Sequence, residues 1–269
     1  MKIIGIDIGG STTKIVCIDH GKVMMPMQVQ ANDPMTSVYG AFGKYISENN
    51  LSIKNIGKIM VTGVGSSYIK EDIYGIPTTH VTEFTALGLG GLFLTNLNNA
   101  IIVSMGTGTA FVKADDKGIR HIGGTGVGGG TLLGLSSKLL DIKEFESLVT
   151  LCKDGSLENV DLAVGDISKT QVSMMPHNIT ASNFGKISDY ATKNDIALGL
   201  VNMVFQTIGI MAVFACRIDN TKDVILCGNL STIPEAKGIF DGIKVLHGVN
   251  FHLPQKAEYA TAIGAALFE

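Results

Sequence analysis

Cysteine is scarce and scattered in this chain of 269 residues. The four cysteines, at positions 17, 152, 216 and 227, form no CxxC pair and no disulfide-like spacing. With six dispersed histidines they provide neither a zinc site nor the disulfide framework of a small secreted domain. Charge is also sparse: 17% of residues are charged against 45% apolar, and the formal net charge is −3. No basic stripe marks a nucleic-acid surface, so no nucleic-acid partner is expected. The apolar fraction supports a substantial core and excludes a disordered chain. No Pro- and Ser-rich linker divides the sequence, although its length suggests two domains. Asp7 interrupts the first apolar run and no small-residue cleavage site follows, so a signal peptide is not expected. A reduced, cytoplasmic protein is the expectation.

One long apolar run, residues 196–218, has the length of a membrane span. Asn202, Gln206 and Thr207 lie in its middle, with Asn202 and Gln206 on one face at i,i+4 spacing. Asp195 and Arg217 close its ends. A helix apolar nearly all round also suits a large core or a subunit interface, and that is the reading adopted here; no membrane partner is expected.

What is present is a repeat. Residues 3–16, IIGIDIGGSTTKIV, are echoed in outline by residues 101–113, IIVSMGTGTAFVK. Each is an apolar strand, a small-residue loop with two glycines, and a second apolar run. Loops rich in Gly, Ser and Thr let backbone N–H groups and hydroxyls approach an anion closely. Two such hairpins about a hundred residues apart point to a nucleotide held between two related halves.

The remaining pattern agrees. Strands are expected at 3–8, 13–19 and 22–30, then a helix over 36–47 and a strand at 57–62 ending in Gly63-Val64-Gly65. A helix follows Thr82, an N-cap candidate with Thr85 three residues on. The pattern restarts with strands at 100–105, 109–114 and 117–122. The run Gly123–Gly130 then leads into an amphipathic stretch over 131–140. Residues 153–182 read as polar loops with little regular structure. The long helix, a strand at 223–227, a loop at Gly228-Asn229 and a helix near 258–268 complete an α/β chain with two sheet-based halves.

Asp7, Ile8, Gly9, Gly10, Ser11, Thr12, Thr13 and Lys14 form the strongest local signal. An acidic residue ends the first strand, and Gly9-Gly10 suggest a turn conformation closed to residues with a Cβ. Ser11 to Thr13 offer donors, and Lys14 adds charge suited to a phosphate. A decorated β-hairpin is the plainer alternative. This loop is neither GxxxxGK[ST] nor GxGxxG, so P-loop and Rossmann readings lack their motif there. Gly106, Thr107 and Gly108 supply the second loop. Gly128, Gly129, Gly130 and Thr131 can present N–H groups to an anion at a helix start, or serve close helix–strand packing. Asn229 can approach a ribose or adenine. Glu83, read locally, is an acidic residue favoured by a helix N-terminus.

The blocks GIDIGGSTTK, VTEFTALGLGG, SMGTGT, IGGTGVGGGTLLGL, ITASNFG and LCGN resemble the bacterial type II pantothenate kinases, in order, over essentially the whole chain. The resemblance implies the actin-like ATPase (ribonuclease H-like) fold, with halves at 1–99 and 100–269 and ATP in the cleft. It implies a homodimer and Mg2+- and ATP-dependent phosphorylation of pantothenate, the first step towards coenzyme A. Glu83 falls at the family's catalytic glutamate, where a carboxylate orients the attacking hydroxyl and accepts its proton. Asp7 to Lys14 would hold phosphates, with Asp7 meeting the metal directly or through water. Gly106, Thr107, Gly108 and Gly128–Gly130 would line the nucleotide, Phe145 would lie near the base, and Asn229 in the C-terminal nucleotide loop. Thr180, Ala181, Ser182, Asn183 and Phe184 match a block of structural or cleft-lining role.

Two departures concern the acceptor. The family's arginine before the hydrophobic-Gly-Gly step is His121 here, with Arg120 one earlier, and Ala110 stands where many members have Ser. Ser104, Arg120 and His121 are the candidate acceptor-binding residues. Strand neighbours face opposite sides, so Arg120 replaces the arginine only if the strand shifts by one. Alternatives are a kinase for another small hydroxyl substrate, or a nucleotide-binding activator ATPase without kinase activity. ROK sugar kinases usually carry a cysteine-rich zinc motif, absent here. Activators of radical dehydratases hold an iron–sulfur cluster through cysteines, and the matching loop here is Ser104-Met105-Gly106.

Overall fold

Apolar β-branched residues fill the first two strand runs, and they pair antiparallel as β1 (Lys2–Ile8) and β2 (Thr12–Asp19). In this computed structural model, which describes residues 1–30, 33–168 and 176–268, β3 (Lys22–Gln30) extends the meander. α1 (Pro34–Glu48) follows, capped by Asp33, whose carboxylate accepts the Thr36 N–H at 2.6 Å. β4 (Ile56–Thr62) and β5 (Thr78–His80) then add parallel to β1, giving the order β3-β2-β1-β4-β5. α2 (Glu83–Thr95) leads to the second half, with Thr82 as the expected N-cap accepting from Thr85 N–H at 3.4 Å.

β6 (Ala100–Met105), β7 (Thr109–Asp115) and β8 (Gly118–Thr125) form a second antiparallel meander, followed by α3 (Gly129–Leu140) and α4 (Phe145–Cys152). β9 (Leu162–Ala163), α5 (Val164–Ile167) and β10 (Thr180–Ser182) make a small ornament where loops were expected; residues 169–175 of that stretch lie outside the described residues. α6 (Lys193–Ile218), β11 (Asp223–Cys227), α7 (Glu235–His247), β12 (Asn250–His252) and α8 (Ala260–Leu267) complete the chain. The second sheet has the order β12-β11-β6-β7-β8. In both sheets the central strand has an antiparallel meander on one side and two parallel strands on the other. The repeat seen in two hairpins therefore extends to two whole five-stranded sheets.

Each sheet buries one face under its own helices and turns the other toward its twin. Ile4, Ile6, Ile8, Ile15 and Ile59 pack with Val38, Phe42 and Tyr45 of α1. Ile101, Val103 and Met105 pack with Leu200, Val204, Phe205 and Ile208 of α6. The long apolar helix is thus the spine of the second core, with Asn202 fully inside it. Between the sheets lie α2 and α8. α8 covers Val16 and Met60 of the first sheet, and α2 places Leu87 among Ile102, Val112 and Ala114 of the second. The two helices cross at bare backbone: a Cβ on Gly264 would lie 1.7 Å from the Ala86 carbonyl oxygen, and one on Gly90 1.8 Å from that of Ala260. This crossing brings the ends of the central strands of the two sheets together, with Lys14 of β2 near enough to Cys227 of β11 for the two to interact electrostatically.

Candidate active site

The β1–β2 register sets Asp7 opposite Lys14, and the β1–β4 register sets Asp7 beside Thr62. Lys14, Asp7 and Thr62 therefore form one row on the face turned to the second half. Burial pushes the Asp7 carboxyl up and the Lys14 ammonium down, each opposed by the other's charge. Lys14 is also drawn by Glu258, just before α8. Neither Asp7 nor Lys14 has a direct hydrogen bond or ion pair among the described residues, and the buried Thr62 hydroxyl also lacks a partner. Water-excluded polar groups left this way are suited to a polar ligand.

Glu83 is the first residue of α2, at an exposed position crowded by protein. Its carboxyl is raised by burial first and by the negative charge of Asp7 second. It too has no hydrogen-bond or ion-pair partner among the described residues. The helix start thus holds a free carboxylate within electrostatic reach of Asp7.

Each hairpin loop is closed by a glycine N–H, Gly9 donating to Thr12 O three residues on and Gly106 to Gly108 O two residues on, each at 2.9 Å. Beyond them, the N–H groups of Gly10, Ser11, Thr107 and Gly108 carry no partner among the described residues. Gly10, Ser11 and Thr107 are exposed at the loop tips. These are the anion-ready donors. Two expectations need correction here. Gly9 and Gly10 do not adopt a left-handed backbone; a Cβ on Gly9 would crowd Thr12 O at 2.9 Å, while Gly10 faces open space. At the start of α3 the N–H groups of Gly128, Gly129 and Gly130 are not open to an anion, because each is already used, while Gly126 N–H just before them has no partner among the described residues. Gly129 N–H donates to Gly106 O at 2.8 Å, Gly130 N–H to Thr107 O at 2.9 Å, and Gly128 N–H to the Thr131 hydroxyl at 3.2 Å. The run clamps the second loop onto α3, the packing role weighed as its alternative.

The structural counterpart of Asp7–Lys14 in the second hairpin is the pair Ser104–Ala110, flanked by buried Cys227 on β11. The charged pair exists in one half only. Ile8, Thr12 and Thr13 belong to the first hairpin as expected, although the Thr13 hydroxyl is buried with no partner, paired opposite Ile8. Asn229 opens the turn after β11, its side-chain oxygen buried and unpartnered. Phe145 begins α4, half-buried against the second core.

Arg120 and His121 are separated by the sheet. A bulge at Ile122 aligns His121 with Val112, on the face that packs against α2, and there its ring stacks on Phe84 at 4.1 Å between centroids and 9° between planes. Arg120 pairs with Asp219 at the end of α6, so it does not join the cleft residues with His121. Sequence reasoning missed Thr62, Phe84 and Glu258; the first two adjoin motif residues already singled out, Gly63 and Glu83. The ITASNFG block is structural: Asp161 accepts from the Thr180 hydroxyl at 3.1 Å, Asn183 at 3.2 Å, Phe184 N–H at 2.9 Å and Asn202 of α6 at 2.7 Å.

Similarity to known proteins is extensive. The sequence model of the Fumble family matches residues 94–235. A type II pantothenate kinase of Bacillus cereus is 30% identical, covering 85% of this chain and 84% of its own. One from Staphylococcus haemolyticus is 28% identical over 97% of this chain and 98% of its own. Among solved structures, the activator of the 2-hydroxyisocaproyl-CoA dehydratase from Clostridium difficile with bound ADPNP superposes with a TM-score of 0.70 at 18% identity, covering 99% of this chain and 93% of that one. At that identity the likeness concerns the fold.

Proposed function

The chain belongs to the type II pantothenate kinase family, with the actin-like ATPase fold, and on that premise we propose that it transfers the γ-phosphoryl group of ATP to the primary hydroxyl of pantothenate. The products are ADP and 4'-phosphopantothenate, at the first step of coenzyme A biosynthesis. The observation that carries the reading is the meeting of three charged side chains without direct partners, Asp7, Lys14 and Glu83, beside two loops whose tip N–H groups are unused.

The roles follow from this arrangement. Gly10, Ser11, Thr107 and Gly108 hold phosphate oxygens, and Lys14 offsets their charge. Glu83 aligns the acceptor hydroxyl and takes its proton as the oxygen attacks, so the proton leaves on Glu83 and the ADP on the loops. Asn229 and Phe145 line the nucleoside end, and Ser104 and His121 the acceptor end. The donor set suits Mg2+, which takes one or two carboxylates and completes its shell with water and phosphates; Asp7 is the free carboxylate that would hold it, directly or through water. When bound, it neutralises charge on the phosphate oxygens.

Residues 1–99 and 100–269 form the two halves of the cleft in this reading. The protein works in the cytoplasm as a homodimer, away from membrane and nucleic acid, with exposed Phe214 and Ile218 of α6 at the subunit contact. An activator role is disfavoured by the Ser104-Met105-Gly106 segment, which contains no cysteine, and by the burial of all four cysteines, Cys227 beside Ser104 included. ADP release that rises with added pantothenate tests the assignment.

A further inference from the structure

α2 lies along the cleft-facing side of β7 and β8, and its contacts step down the helix in register. Leu87 packs with Val112 and Ala114, and Gly88 is so close to Ile119 that a Cβ would lie 2.7 Å from its side chain. One turn earlier the same helix face presents Phe84, and the residue it meets is His121. An ordinary end to a packed core would be an aliphatic contact. Here it is a near-parallel pair of rings at the cleft edge, with Phe84 37% exposed and His121 exposed. Neither nitrogen of His121 has a hydrogen-bond partner among the described residues. The stack fixes the plane of the imidazole through its face and leaves its polar edge open to a ligand.

Phe84 is also the immediate neighbour of Glu83, so one turn of α2 sets two things together. It aims the carboxylate that takes the hydroxyl proton, and it fixes the ring that meets the other end of the acceptor. Arg120, turned away and paired with Asp219, cannot share that task without breaking its ion pair. We infer that Phe84 is a positioning residue for His121, and that this stacked pair sets the seat of the acceptor's carboxylate. The inference rests on the pantothenate kinase reading above.

Steady-state kinetics with both substrates, on the full chain, test it. Loss of a favourable ring pair corresponds to about a two- to tenfold change in an equilibrium constant. Phe84→Leu should therefore raise KM for pantothenate by about that factor, with kcat within about twofold and KM for ATP unchanged. Phe84→Tyr, which keeps the ring, should match the wild type. In a His121→Ala background, Phe84→Leu should add nothing further, because the two act as one unit. His121→Ala alone, which removes the other ring of the stack, should raise KM for pantothenate at least as much as Phe84→Leu, and this variant reports even if Phe84→Leu folds poorly. The inference is overturned if Phe84→Leu shifts kcat or both KM values alike, if its effect adds fully to that of His121→Ala, or if Phe84→Tyr behaves like Phe84→Leu. A wild-type protein that ignores pantothenate overturns both this inference and the function beneath it; an active wild type with any of those variant results overturns the inference alone.

Discussion

Asp7 and Glu83 are two carboxylates close enough to feel one another, and burial raises both. Two such groups in a phosphate site repel the nucleotide unless they have work to do, since like charges desolvated together are costly. The work assigned is metal binding for Asp7 and proton acceptance for Glu83. Replacing Glu83 by Gln keeps shape and removes the base. Turnover should fall about 10²- to 10⁴-fold while ATP affinity stays within about threefold. Equal turnover in Glu83→Gln and wild type, measured by ADP release, would remove Glu83 from the mechanism. The role proposed for Glu83 is suggested only by its family block, because a lone acidic residue at a helix start has a sufficient structural reason to be there. The choice between Arg120 and His121 was not legible at all. Strand alternation places them on opposite faces, but which face is which depends on pairing register, and the bulge at Ile122 sets that register. The Gly9-Gly10 argument failed for a related reason: glycine signals either backbone conformation or close approach, and sequence does not distinguish them.

At the scale of elements, the long α6 shows how polar residues in an apolar run carry information. Asn202 looked like an objection to a membrane span, and in the structure it donates to buried Asp161, tying the helix to the Thr180–Phe184 segment. The start of α6 is held as firmly. Thr192 and Asp195 form a reciprocal capping box, and Asp195 also accepts the Ser156 N–H at 2.7 Å. Hydrogen bonds from Thr192 and Ser156 N–H groups hold the Asp195 carboxyl below its usual range. A group depressed in the folded state stabilises fully above its unfolded value, and that contribution is lost as pH falls through the folded one. Asp195→Asn should therefore lower Tm at neutral pH by about 3–8 °C, from the loss of about 1–3 kcal/mol of hydrogen bonding. The gap between variant and wild type should narrow as pH falls below the carboxylate range. A gap constant with pH would show that Asp195 does not act through its charge. The strands of both meanders and the helices α1, α2 and α6 were readable from periodicity and caps. β5 and β12, three residues each, are too short to show a period. α7 was legible but not read: Ala236, Phe240 and Ile243 recur at i, i+4 and i+7, the period of an amphipathic helix.

The whole molecule is a duplicated sheet around a shared cleft, and the duplication is asymmetric where it matters. Both hairpin loops close through a glycine N–H, yet only the first carries a lysine–aspartate pair, and Ser104–Ala110 is its uncharged twin. The helices between the sheets serve the proposed mechanism as well as the core: α2 carries Glu83 and Phe84 in its first turn, and α8 crosses it at Gly90 and Gly264. The repeat in the sequence foretold the two sheets; the exchange of α8 back onto the first sheet is long-range packing that no local pattern encodes. The proposed homodimer should scatter light at twice the chain mass, and Phe214→Glu should shift it toward the monomer; a monomer in the wild type would overturn the dimer, and an unchanged dimer in the variant would place the contact elsewhere. The central claim is the acceptor. With purified protein and MgATP, ADP formation should be low alone, rise with pantothenate to saturation, and match 4'-phosphopantothenate one for one by mass spectrometry. ADP formation that is indifferent to pantothenate at high concentration, or coupled only to another hydroxyl acceptor, would contradict it.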